Sequence, residues 1–409
     1  MGYSGRGMKR NTLLIVVVVI AGFFLLFNPL KLLQGAKGDV VRPSADKEAV
    51  TGLQQFAQAN WRSAQDYVLS CFATHDIVLL GEFYKIRQNV ELVNTLIPRL
   101  YAAGVRNLGI EYALSEDQAQ IDALVTAPKW DEAKARAITL DWLVSWGYQE
   151  YIDLYKTAWQ VNSGRPAGAK PFRVVGLNVR QNWEFLINES DASDPQTVAK
   201  IHANGVPDVH IAEVIEKEFV ARGEKALVYC GTQHVFTRYV NADYAKNAAD
   251  MKLADTRRAG NIVFAKIGAK AFSISLHAPW PDRNQKTGLA YPAEGAIDAL
   301  IDLLPPDRRN AGWNTAGTPL GALPVRSGSY SNGKTDMTLA DVFDGYVIQG
   351  PMAEYTTVTA IPDFVLPQNA ERAARDYPGP KPTPLTPMQV NERIIQDVQQ
   401  LAKMLAQFR

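Results

Sequence analysis

The chain reads as an α/β protein with a mainly parallel β-sheet flanked by helices, a helical cap and an N-terminal membrane anchor. Three observations carry this reading. A buried-looking strand over residues 76–80 runs into Gly81-Glu82-Phe83-Tyr84-Lys85. A helix and a second short strand ending in Glu111 follow it. A third strand, Ala226-Leu-Val-Tyr-Cys-Gly231, opens into Thr-Gln-His234. With 409 residues, 47% hydrophobic and 21% charged, the chain is globular and can bury a substantial core. The formal net charge is +1 and no basic cluster interleaves with aromatics, so nucleic acid is not an expected partner.

Taken in order, Arg6, Lys9 and Arg10 precede an apolar run over residues 13–27. Extended to Leu33, it reaches the roughly 20 residues that span a bilayer. No small-x-small cleavage site stands near Gln34-Gly-Ala36, so residues 1–33 read as an uncleaved signal-anchor rather than a removed signal peptide. The expected location is a membrane-anchored domain facing outward, periplasmic or outer-face in a bacterium. Residues 34–50 form a linker, and residues 50–71 read as one helix with Leu53, Phe56, Ala57 and Trp61 on a face. The α/β domain is expected over residues 51–365.

Val90, Leu92, Val93, Leu96, Ile97, Leu100 and Tyr101 recur at helical intervals, and Gly104 stops the helix. The unit around it is therefore β-turn-α-β. A right-handed crossover places Glu82 and Glu111 at one sheet edge, on strands expected to be neighbours. Open α/β sheets put their chemistry at that edge. Two carboxylates there can bind a metal, share a proton, or split into acid and base. His234 follows an apolar strand and a turn-permitting glycine, which brings it to the same edge.

The stretch from residues 116 to 159, rich in Trp and Tyr, reads as a helical cap whose aromatics either line a pocket or fill a core. Helices are expected over residues 209–222 and 241–259, strands over 261–266, 271–276 and 343–348, and a surface loop over 305–334. Residues 366–409 comprise a Pro-rich linker and an amphipathic helix over 388–408. Two cysteines, Cys71 and Cys230, exclude a cysteine-rich zinc site and a disulfide scaffold. They should lie toward opposite ends of parallel strands as buried free thiols.

Leu80-Gly81-Glu82, the helix with Arg87, Ile110-Glu111, the Trp142–Trp146 stretch, the strand ending in Asn178 and the Gly231-x-x-His234 motif together resemble the erythromycin esterase and ChaN/Tiki superfamily. The resemblance covers residues 75–240 in order. It implies hydrolysis of an ester or peptide bond, metal-assisted or not, or capture of haem, a divalent metal or a small organic ligand. The family's first motif histidine falls on Lys85 in the esterase register and on Tyr84 in the ChaN-like one, so it is absent here.

The candidate catalytic residues are Glu82, Glu111, His234 and Lys85. Glu82, Glu111 and His234 are the candidate metal ligands, and Tyr84, Arg87, Asn178 and Trp146 the candidate substrate contacts. Lysine and tyrosine titrate near pH 10, so either would need a strongly shifted environment to replace a histidine base. Two functions are expected: an envelope hydrolase for a small-molecule or peptide ligand, or a binding protein in which catalysis has been lost.

Overall fold

The computed structural model describes residues 40–45, 47–282, 288–326 and 328–408. The expected anchor, residues 1–33, lies outside them. Among the described residues no helix is long and apolar enough to cross a membrane.

Seven strands form one sheet in the order β3-β2-β4-β1-β5-β9-β8. They are β1 (Ile77–Glu82), β2 (Asn107–Leu114), β3 (Arg173–Asn178), β4 (Ala226–Gly231), β5 (Ala271–Leu276), β8 (Ala311–Asn314) and β9 (Gly345–Ile348). All pairs are parallel except β8 with β9. A separate two-stranded ribbon joins β6 (Trp280–Pro281) to β7 (Leu289–Ala290). The α/β class and the mainly parallel sheet are as read from the sequence.

One expectation about the sheet needs correcting: β1 and β2 are not neighbours. β4 pairs with both, Leu80 opposite Tyr229 on one side and Ile110 opposite Tyr229 on the other. The carboxylates do share the C-terminal edge, but a strand more than 100 residues downstream lies between them. Sequence order alone does not reveal such an insertion, because parallel strands are joined by crossovers that can skip a position.

Both faces of the central strands are buried, which explains their continuous apolar runs. Val78, Leu80, Leu108, Ile110, Leu227 and Tyr229 pack on one face with the helices Arg87–Ala102 and Gln149–Ser163. Ile77, Leu79, Val175, Val228 and Cys230 pack on the other, with Pro207–Glu218 and Ala259–Ile267. Cys71 and Cys230 are free and buried, as expected.

Several local expectations change. Residues 50–71 form two helices, Lys47–Ala59 and Ala64–Cys71, because Ser63 caps the second by accepting the Asp66 N–H. Residues 261–266, read as a strand, lie inside the helix Ala259–Ile267. A short apolar run fits either element, and Asn261 settles it by holding the carbonyls of Thr237 and Tyr239 at 2.9 and 2.8 Å. Residues 305–334 are not a surface loop: they contain β8, and Leu320, Leu323, Val325 and Tyr330 join a core cluster.

The C-terminal helix Pro387–Leu405 has its Thr386 capping box and turns its apolar stripe inward. Val390, Ile394 and Val398 join the main core, and Leu401, Met404 and Leu405 join a cluster with Ile86, Ala278 and Met352. Ile394 is fully buried, so Ile394→Ala should cost about 2–5 kcal/mol in urea unfolding. A cost below 0.5 kcal/mol would mean that the helix is not an integral part of the domain.

Candidate functional site

The edge chemistry begins with strand alternation. Glu82 extends the side of β1 that carries Val78 and Leu80, whereas Glu111 lies between Ile110 and Tyr112 and so leaves β2 on the opposite side. The two carboxylates enter different surroundings.

Glu82 is 1% exposed and ringed by phenols. Tyr151 lies 2.7 Å from Oε1, Tyr112 also meets Oε1, and Tyr229 meets Oε2. Tyr112 and Tyr229 come from the same sheet face, and Tyr151 from the Gln149–Ser163 helix. Burial pushes Glu82 up to about 8, against the three phenols, which pull it down, and with a further push from Glu111. At neutral pH this favours the protonated carboxyl, with the three phenols donating to its oxygens.

Glu111 is fully buried and differently held. The Tyr84 hydroxyl donates to both its oxygens, at 2.9 and 3.0 Å, and the Gly231 N–H donates to Oε2 at 2.8 Å. A side chain at Gly231 would collide with that phenol, its Cβ lying 2.1 Å from the hydroxyl oxygen. His234 Nε2 stands 3.4 Å from Glu111 Oε1, and its Nδ1 stands 2.8 Å from Asp208 Oδ1. Asp208 also accepts from the Ala259 N–H at 2.8 Å and from Arg258 at 3.0 Å.

Burial alone would lower His234, but the Asp208 and Glu111 carboxylates outweigh it and hold the imidazole above its ordinary value. Burial likewise works to raise Asp208, and His234 and Arg258 overcome it, leaving the carboxyl well below the usual range. The result is a chain of groups, Asp208–His234–Glu111, on the face opposite Glu82.

The other expected residues spread out from this centre. Asn178 does border it, donating to the Glu111 carbonyl at 3.2 Å. Trp146 is fully buried, stacked on Tyr112 at 5.3 Å and edge-on to Tyr84 at 5.6 Å. Lys85 pairs with Asp397 of the C-terminal helix at 2.9 Å, its ammonium 5.4 Å from the Trp146 and Tyr148 rings. Arg87 is directed to Glu150, at 3.3 Å, and to the Thr357 carbonyl.

The proposed metal set does not fit this arrangement. Three donors must converge on one point. Here Glu82 is engaged by tyrosines on one face while Glu111 and His234 meet on the other. Among the described residues no group of three or more His, Cys, Asp or Glu side chains is placed to hold a metal ion. Haem ligation through Tyr84 fits no better, since its phenol is buried against Glu111.

Sequence reasoning missed Asp208, Arg258, the three tyrosines around Glu82, and Asp397. Tyr112 and Tyr229 were findable, because period-2 alternation from Leu80 and Ile110 puts them on the Glu82 face. Asp208 opens a helix two residues after Val206 and carries no motif of its own.

Glu82 makes stability depend on pH with a definite sign. Below about 4.5 it is protonated folded and unfolded; between there and about 8 only the folded state keeps the proton. Stability should fall as pH rises through that window. Glu82→Gln removes the titration, so the melting temperature of the variant should gain on that of the unmodified protein from pH 4.5 to 8. Parallel melting profiles would show that Glu82 is ionised in the folded state.

No family model and no curated protein matches the chain. Solved structures do. A Bacillus cereus protein is similar with TM-score 0.48 and 13% identity, over 73% of this chain and 96% of that one. Erythromycin esterase EreC, a mutant in its open conformation, is similar with TM-score 0.45 and 10% identity, over 70% and 97%. ChaN of Campylobacter jejuni, solved with cofacial haem, is similar with TM-score 0.33 and 14% identity, over 55% and 88%.

Proposed function

We propose that the protein is a hydrolase-like enzyme for an ester bond, working by acid–base chemistry without a metal ligand set. The observation that carries this is the Asp208–His234–Glu111 chain at the C-terminal sheet edge. Asp208 fixes the imidazole by its Nδ1 and leaves Nε2 facing Glu111, the orienting logic that general acid–base sites require. The raised imidazole supplies a proton to a departing alkoxide, and Glu111 takes one from attacking water. A cleft of ≈ 20 Å³ at the same sheet edge, lined by Glu82, Thr232, Gln233 and Ser275, has room for one water.

Lys85 does not act as the base in this reading. Asp397 holds it as an ammonium-carboxylate pair, and its part is to seat the C-terminal helix beside the site. The proposal includes an outward-facing, membrane-anchored location, which rests on the apolar run over residues 13–27.

One observation favours a second reading, a binding protein that has lost catalysis. Tyr84 stands in one of the two registers where the family pattern has histidine, and its hydroxyl occupies both oxygens of Glu111.

Hydrolysis of p-nitrophenyl butyrate by the full chain separates the two. Glu111→Gln and His234→Ala should each lower kcat/KM by about 10²–10⁴-fold, and prior treatment with EDTA should leave the rate unchanged. Loss of activity with EDTA would overturn the metal-free mechanism. Rates equal to those of the two variants would support the binding reading.

A further inference from the structure

The helix Pro207–Glu218 supplies a second histidine two residues after Asp208, and it serves a different partner. His210 Nε2 lies 2.7 Å from Ser115 Oγ. Ser115 directly follows β2, at the same C-terminal edge as Glu111, and begins the short helical turn Ser115–Asp117. Both residues are half-buried, so a reagent can reach them while the imidazole is still shielded.

We propose that Ser115 and His210 form a nucleophile–base pair, a second reactive centre that accepts an acyl group from small esters. Hydroxyl and imidazole nitrogen stand at the distance that defines such pairs. Burial lowers the affinity of His210 for protons, against the opposing charges of Glu213 and Glu116, which keeps the ring neutral and able to accept the serine proton. Ser115 is placed on the turn between a buried parallel strand and the helix Gln118–Val125, so its backbone position is set by the sheet rather than by a free loop.

A cleft is linked to the turn carrying Ser115 through Arg180. Glu116, next to Ser115, is bound by Arg180 at 2.6 Å. The same Arg180 lines a cleft of ≈ 230 Å³ together with Asp141, Trp142, Asn182, Trp183 and Arg375. Two indoles among mixed acids, bases and amides suit a largely neutral organic group with several polar substituents.

The step balances without any further reagent. Ser115 Oγ bonds to the ester carbonyl carbon, and its proton passes to His210 Nε2. The carbon–alkoxide bond breaks as that proton moves on to the departing alkoxide. Water then enters, gives a proton to the imidazole and its hydroxyl to the acyl carbon, and the proton returns to Ser115 as the acid leaves.

The test uses a reagent that stops after the first step. Diisopropyl fluorophosphate forms an Oγ–P bond and loses fluoride with the serine proton, adding one diisopropylphosphoryl group that intact mass and peptide mapping can place. The full chain should be labelled at Ser115, at a rate that rises with pH as the imidazole deprotonates. Ser115→Ala should lose the adduct. His210→Ala should label about 10²-fold more slowly or worse, and added imidazole should restore part of the rate, which a purely structural role would not allow. Far-ultraviolet circular dichroism of both variants guards against misfolding. No adduct at Ser115 on the folded unmodified chain, or an equal rate in folded His210→Ala, would overturn the proposal. Esterase activity at Glu111 and His234 is read on Ser115→Ala, which lacks the second nucleophile, so either centre can fail alone.

Discussion

Two-residue alternation along β1 and β2, with β4 paired between them, decides where each ionisable group at the sheet edge spends its charge. Glu82 is directed into the face shared with the Tyr-rich helix, and Glu111 into the face shared with Pro207–Glu218. Had the strands been adjacent and the carboxylates on one face, they would have faced each other across a spacing suited to a shared proton or a cation. The intervening β4 supplies instead the Gly231 N–H, the Tyr229 phenol and the turn bearing His234. Each carboxylate is thereby satisfied by a separate set of donors.

Electrostatics follow from that separation. On the tyrosine side the three phenols do not offset the burial of Glu82, so the balance favours the protonated acid. On the other side, Arg258 and the Ala259 N–H stabilise Asp208 as an anion, and Asp208 in turn holds His234. Two acids thus sit in opposite protonation states around one strand end. Such pairs of environments are what acid–base sites are built from.

The sheet was legible because fully buried parallel strands leave continuous apolar runs, and the runs ending at Glu82, Glu111, Asn178 and Gly231 all lie at one edge. Strand order was not, since the sequence holds no mark of which pairs a crossover skips. Glu111, His234 and Asn178 were recovered as one group because each closes or follows a strand. Lys85 and Arg87 were placed at the centre by the motif pattern they resemble, but Lys85 adopts a left-handed backbone, φ 68°, and its ammonium pairs with Asp397. The short apolar run at residues 261–266 fits helix and strand equally, and only its long-range amide contacts decide between them. Asp208 and Asp397 arrive from remote helices, and nothing local to them announces a partner.

The Lys85–Asp397 pair also sets an order of events in time. Its two members are 312 residues apart, and the lysine is 2% exposed once the pair has formed. On a ribosome adding about 5–20 residues per second, the ammonium is made about 15–60 s before its carboxylate exists. Through that interval the first βαβ unit would have to bury Lys85 without its Asp397 carboxylate, which keeps this corner of the sheet edge hydrated. This corner therefore closes only when the helix Pro387–Leu405 docks, and a chain cut short before that helix would present an open, wet sheet edge to the chaperones that survey nascent proteins.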